Sequence, residues 1–102
     1  MRTIKVSRKE IKPQEILYLE SWGNYTMFYL RNNKKALSSF TLQIFEERLK
    51  DFHFYRVNRS QIINFSAVKI LNYNPSQTSI LLDNGQEFLV SRRRRKQLSQ
   101  YV

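Results

Sequence analysis

The apolar residues of this chain arrive in short runs, and turn-forming residues close nearly every run. "ILYL" at 16–19, "YTMFYL" at 25–30, "SILL" at 79–82 and "EFLV" at 87–90 are such runs. "KPQ" at 12–14, "WGN" at 22–24, "RNNKK" at 31–35, "NPS" at 74–76 and "DNG" at 83–85 lie between them. Runs this short and this firmly bounded suit strands. Asn and Gly tolerate positive φ, so "DNG" predicts a hairpin between 78–82 and 87–90. "EILYLES" at 15–21 and "YTMFYL" predict another, with "ALSSF" at 36–40 a further short strand. Ile4 and Val6 share one face of a weakly alternating stretch. "FYRV" at 54–57, "QII" at 61–63 and "AVKILNY" at 67–73 complete the strand set. Seven Phe, six Tyr and one Trp favour the same β-structure.

One stretch repeats its apolar residues at helical spacing. Leu42, Phe45 and Leu49 fall on one face and predict a helix over 42–49. Thr41 precedes it as a candidate N-cap, its hydroxyl able to accept from a free amide of the first turn. Phe40 and Phe45 have the spacing of a hydrophobic staple. Lys50 suits the negative end of the helix dipole. This helix reads as structural. Ser91 is placed to cap a second, short helix from Arg92 to about Gln100. The expected fold is therefore mainly β, with one central α-helix and a short C-terminal helix. A length of 102 residues suits one domain.

The charge balance narrows the partner. Lys and Arg total 18 against 8 Asp and Glu, a net charge of +10. Such a chain repels itself when compact, so its basic surface points to an anionic partner. Nucleic acid comes first and an anionic membrane surface second. The chain has no cysteine, which removes disulfides and thiolate metal sites. His53 alone cannot build a multi-histidine metal site. No apolar run reaches 18 residues and no signal-peptide pattern opens the chain, so a cytoplasmic protein is expected. No cofactor and no metal are expected.

Catalysis finds little support. His53 sits between Phe52 and Phe54 without an acid or nucleophile at diagnostic spacing. Two isolated glycines cannot form a phosphate-binding loop. Glu46 and Glu47 are adjacent, about 100° apart around a helix, and read as a solvated face.

Two polar segments carry more. "NRSQ" at 58–61 breaks two apolar runs, which predicts a sharp loop or bulge. Asn58 and Arg59 are the side chains suited to adenine and guanine edges. An ordinary solvated turn is the plain alternative. "SRRRRK" at 91–96 puts Arg92, Arg93, Arg94 and Arg95 into the first turn of a helix, where cations oppose the dipole and a phosphate relieves them. Successive residues fan out, so four arginines cannot face one groove. A disordered basic tail is the alternative here. Leu98 and Tyr101, three apart with Val102 beside them, favour docking.

"EILYLESWGNYTMFYL", "FYRVNRSQIINFSAVKIL" and "NGQEFLVSRR" together resemble the LytTR DNA-binding domain over about residues 3–100. The middle block is the most specific, with an aromatic residue, Arg56, Val57, a polar residue, Arg59, Ser60, and then Ile63 and Asn64. The resemblance implies an elongated arrangement of short antiparallel strands around a central helix. It also implies double-stranded DNA as partner, gripped by loops in successive major grooves. The family's contact segments fall on Trp22, Gly23, Asn24 and Tyr25, on Asn58, Arg59 and Ser60, and on Ser91, Arg92 and Arg93. Arg94 continues the third.

Two departures from the family pattern stand out. Asn58 replaces a frequent histidine, which implies a different base read there. The basic run through Arg94, Arg95 and Lys96 exceeds the pattern and implies added non-specific affinity. Members are bacterial transcription regulators, often output domains behind a receiver domain. The resemblance thus implies repeated half-sites with two copies per operator, and a receiver or sensor partner in a longer or separate chain. Competing classes are an RNA or single-strand binder stacking bases on Trp22, Tyr25 and Tyr29, and a protein-interaction domain with a basic face. No enzyme is expected.

Overall fold

The computed structural model describes residues 2–101. Val102 lies outside the described residues. Among the described residues ten strands and two helices follow one another in the order β1 (Ile4–Val6), β2 (Lys9–Ile11), β3 (Ile16–Trp22), β4 (Tyr25–Leu30), β5 (Lys35–Ser38), α1 (Leu42–Arg48), β6 (Phe54–Asn58), β7 (Gln61–Asn64), β8 (Val68–Asn72), β9 (Thr78–Leu82), β10 (Glu87–Val90) and α2 (Arg92–Arg95). All pairing is antiparallel. A central sheet runs β5-β4-β3-β7-β6, a second runs β10-β9-β8, and β1 and β2 form a ribbon. The molecule is elongated, 41 × 25 × 22 Å. The expected mainly-β fold with a central helix is the one observed.

The central sheet has a hydrophobic core on each face. On one, Ile16, Leu19, Phe28 and Ile62 pack with α1 through Leu42, Phe45 and Leu49, and with Ile4, Val6 and Ile11 of the ribbon. On the other, Tyr18, Tyr55, Val57 and Ile63 pack with Ile80, Leu82 and Phe88 of the second sheet and with Leu98. A strand covered on both faces has no polar side, which explains the unbroken "ILYL" of β3. Phe45 meets Phe28 edge-on, with ring centroids 4.7 Å apart, and Phe40 lies 6.3 Å from Phe45 as the staple expectation required.

Two bulges redirect side chains. In β3 the register shifts between Ile16 and Tyr18, so Leu17 is an extra residue. Leu17 and Tyr18 then face the same core. In β6 the register shifts between Arg56 and Asn58 around Val57. An extra residue reverses the alternation of everything after it. Arg56 consequently faces α1, while Asn58 turns to the opposite side, toward β10.

Several expectations change. Strand β2 carries too little apolar pattern to be seen in advance. The first residues of "RNNKK" form a 3-10 turn, with Asn32 and Asn33 at positive φ. Thr41 occupies the N-cap position of α1, yet its hydroxyl makes no capping bond; its carbonyl accepts from Ile44 instead. The C-terminal helix stops at Arg95, and a separate 3-10 turn spans Leu98–Gln100. Leu98 and Tyr101 do dock: Leu98 is buried, and the Tyr101 hydroxyl donates to the Phe54 carbonyl at 2.6 Å.

The phenols of Tyr18 and Tyr55 are pushed up to about 12, first by burial and then by neighbouring groups, Tyr29 and Tyr101 respectively. Their unfolded values lie near 10. Neutral phenols thus favour the folded state fully below pH 10, and the contribution is lost as pH rises through 12. Unfolding free energy should fall across that window, and less steeply in Tyr55→Phe. Urea titrations at stepped alkaline pH check this; an equal fall in both proteins would contradict it.

Candidate nucleic-acid interface

Three segments from distant parts of the chain converge at one edge of the sheets. The first is the β3–β4 turn. Trp22 and Tyr25 pair across it, and Gly23 carries the positive φ of +62°. Asn24 is exposed and not among the positive-φ residues, so the turn does not depend on its tolerance of unusual angles. Trp22 and Tyr25 are exposed at 53% and 51%. Tyr29, also expected to be exposed, is instead packed, its ring stacked 4.3 Å from Tyr18.

The second segment is the two-residue turn between β6 and β7. Asn58 organises it from within. Its Oδ1 accepts from the Ser60 amide at 2.9 Å, and its Nδ2 donates to Gln61 Oε1 at 3.0 Å and to the Leu89 carbonyl at 2.9 Å. With both ends engaged, Asn58 is a brace for the loop. Arg59 at the tip is exposed, and among the described residues it makes no ion pair. Only its carbonyl is tied down, accepting from Arg56 Nη2 at 2.6 Å. Ser60 is exposed beside it.

The third segment begins where β10 meets α2. Ser91 Oγ accepts from the Arg94 amide at 3.3 Å, the expected cap. Arg92 and Arg93 are exposed. Arg94 turns inward, its Nη1 2.8 Å from Glu46 Oε2.

Main-chain bonds lock the segments together. The Ser21 amide donates to the Ser60 carbonyl and the Ser91 amide to the Val57 carbonyl, both at 2.9 Å. Side chains repeat the linkage. Glu20 accepts from Trp22 and Tyr29 on one oxygen and from Gln61 on the other. Gln61 passes the chain to Asn58, and Asn58 to Leu89. On the opposite side of the sheet, Glu46 accepts from Arg56 at 2.8 Å and from Arg94 at 2.8 Å. The Tyr55 hydroxyl donates to the Arg94 carbonyl at 2.6 Å. Glu46 therefore joins the second and third segments and is no solvated face, whereas Glu47 is open to solvent and pairs with Lys50.

No His, Cys, Asp or Glu cluster suited to a metal occurs among the described residues. The edge offers exposed guanidinium groups, two aromatic rings and a serine, carried on turns that hydrogen bonds brace. Such a set can hydrogen-bond and stack.

The model of the LytTR family, described as a LytTr DNA-binding domain, matches residues 4–102. The chain belongs to the LytTR family. Among solved structures, the LytTr DNA-binding domain of a Bacillus cereus protein described as a methyl-accepting/DNA response regulator is similar at 25% identity and a TM-score of 0.79. That match covers 98% of this chain and 94% of the other. No curated protein sequence matches the chain closely enough to count as a relative. The LytTR family is a family of DNA-binding domains used in transcription regulation, and it is not a catalytic family.

Within this LytTR chain, sequence reasoning missed Glu20, Glu46, Arg56 and Gln61 as supports of the edge. Their signal was faint, because each lies on a strand or helix whose neighbours are set only by the fold. Glu46→Gln keeps the shape and removes the charge that both arginines share. It should lower the unfolding free energy by about 1–2 kcal/mol, the range for a partly exposed charge-assisted pair. Urea unfolding measures it; an unchanged midpoint would show that the two contacts contribute nothing.

Proposed function

We propose that residues 1–102 act as one cytoplasmic bacterial domain that binds double-stranded DNA sequence-specifically and regulates transcription, without enzymatic activity. The turns at 22–25 and 58–60 and the start of α2 enter successive major grooves. The observation that carries this reading is the edge itself: three mutually bonded segments present Arg59, Arg92 and Arg93 with no acid partner among the described residues. A two-stranded ribbon fits a major groove about 12 Å wide, and an arginine fork pairs with the O6 and N7 of guanine. Trp22, Asn24, Tyr25, Arg59, Ser60, Ser91, Arg92 and Arg93 are the proposed contacts. Asn58 and Arg94 serve from behind, since the Asn58 amide bonds within the protein at both ends and Arg94 Nη1 pairs with Glu46. Two copies occupy repeated half-sites, and a receiver or sensor partner supplies the signal. The B. cereus relative, described as part of a response regulator, supports that pairing.

The half-exposed Trp22 and Tyr25 rings favour one second reading, stacking on single-stranded bases. Parallel titration with duplex, single strand and RNA decides; tighter binding to either single strand would overturn the duplex reading.

Arg59 is the decisive side chain. Arg59→Ala should cost about 1–3 kcal/mol on the cognate duplex and relax preference at one position per half-site. Non-specific affinity should fall much less. Selection from a random duplex library checks this, and a preference unchanged at every position would remove Arg59 from base reading.

Salt should weaken binding steeply. With about six phosphates neutralised, log K against log salt should have a slope near −5. A nearly flat titration would leave the +10 charge without this role.

A further inference from the structure

The consecutive basic residues of α2 have separate fates. Arg94 points inward to Glu46, and Arg93 is exposed. Arg92, Arg95 and Lys96 stand at i, i+3 and i+4, on one side of the helix. That side faces the turn after β8. There the three line a shallow pocket of about 350 Å³ with Tyr73 and Pro75.

The pocket has the features of an anion seat. Three cations line it and no acid does. Among the described residues, none of the three makes an ion pair. Like charges so placed would normally spread into solvent, yet Arg95 cannot, because its Nη1 donates to the Pro75 carbonyl at 2.7 Å. Its Nε is buried and, among the described residues, has no hydrogen-bond partner. A held guanidinium, flanked by two further cations and with no acid in the lining, lacks an acceptor of negative charge. A phosphate oxygen supplies that, and charge-assisted bonds to phosphate are the strong kind.

We propose that Arg92, Arg95 and Lys96 seat one backbone phosphate of the duplex, which makes the turn at 73–77 a fourth contact element beside the three segments. This rests on the duplex reading above. It divides the run: Arg93 faces the bases, Arg94 braces the site, and the other three hold the backbone.

The test replaces the phosphates of a bound duplex, one at a time, with neutral methylphosphonates. At one position in each half-site the change should weaken the unaltered protein about five- to tenfold and barely affect Arg95→Gln. The salt slope of Arg95→Gln should be smaller by about one, with base preference unchanged. Arg95 also bonds Pro75, so Lys96→Gln, which breaks no internal bond, should repeat the pattern. If every position penalises all three proteins equally, or if base preference changes, the proposal is overturned. A parallel arm titrates inorganic phosphate against the protein alone and follows the Arg95 side chain by NMR, with chloride at equal ionic strength as control. Saturable phosphate binding without a sensitive duplex position would assign the pocket to a free anion and overturn the backbone seat. Absence of any duplex binding at low salt would defeat the duplex reading itself, a result the methylphosphonate scan cannot mimic.

Discussion

One carboxylate, that of Glu46, holds the geometry of the proposed DNA-facing edge. It receives Arg56 from β6 and Arg94 from α2 at 2.8 Å each. Arg56 in turn grips the carbonyl of Arg59, so the line from α1 to the exposed arginine is one acid and one guanidinium long. A site made of turns has no helix to keep its shape, and isolated turns lose about 1–2 kcal/mol of conformational entropy per ordered residue. Ion pairs that are half sheltered from water, backed by main-chain bonds between segments, offset part of that cost where packing alone does not reach.

The placement of charge follows from the same economy. Two of the eight acids, Glu20 and Glu46, sit behind the edge and draw donors inward. Others pair with basic residues outside the three segments, as Asp83 does with Arg31 and Asp51 with Arg2. Among the described residues the exposed arginines of the edge keep their positive charge without an acid partner, and an anionic partner or salt relieves the repulsion among them. The family membership and the geometry meet at this point, one indicating DNA binding and the other showing where the unpaired charge is displayed.

The two bulges have an effect out of proportion to their size. One extra residue at Val57 puts Arg56 and Asn58 on opposite sides of the sheet, so the same loop is braced from the α1 side and from the β10 side. A regular strand would have turned Asn58 toward α1, leaving Leu89 and Gln61 without their donor. The loop's bracing from two sides thus comes from an irregularity of the strand before it.

Much of this fold was legible in the chain. The limits of β4, β9 and β10 and the apolar face of α1 follow from runs, turns and helical spacing, since these are local properties of neighbouring residues. Ser91 as a cap and the sharp turn at 58–61 are local in the same sense. Strand β2 was invisible, because three residues with one buried side chain carry no periodicity. The inward turn of Asn58 and Arg94, the packing of Tyr29 and the double role of Glu46 were invisible for a different reason. Each depends on a partner 9 to 48 residues away, brought near by sheet order and bulge register. Local chemistry determined which segments could be turns and which residues carried charge. Only the tertiary structure decided which of those charges face outward, because a charged side chain takes its direction from the nearest opposite charge or carbonyl, and distance along the chain does not measure that nearness.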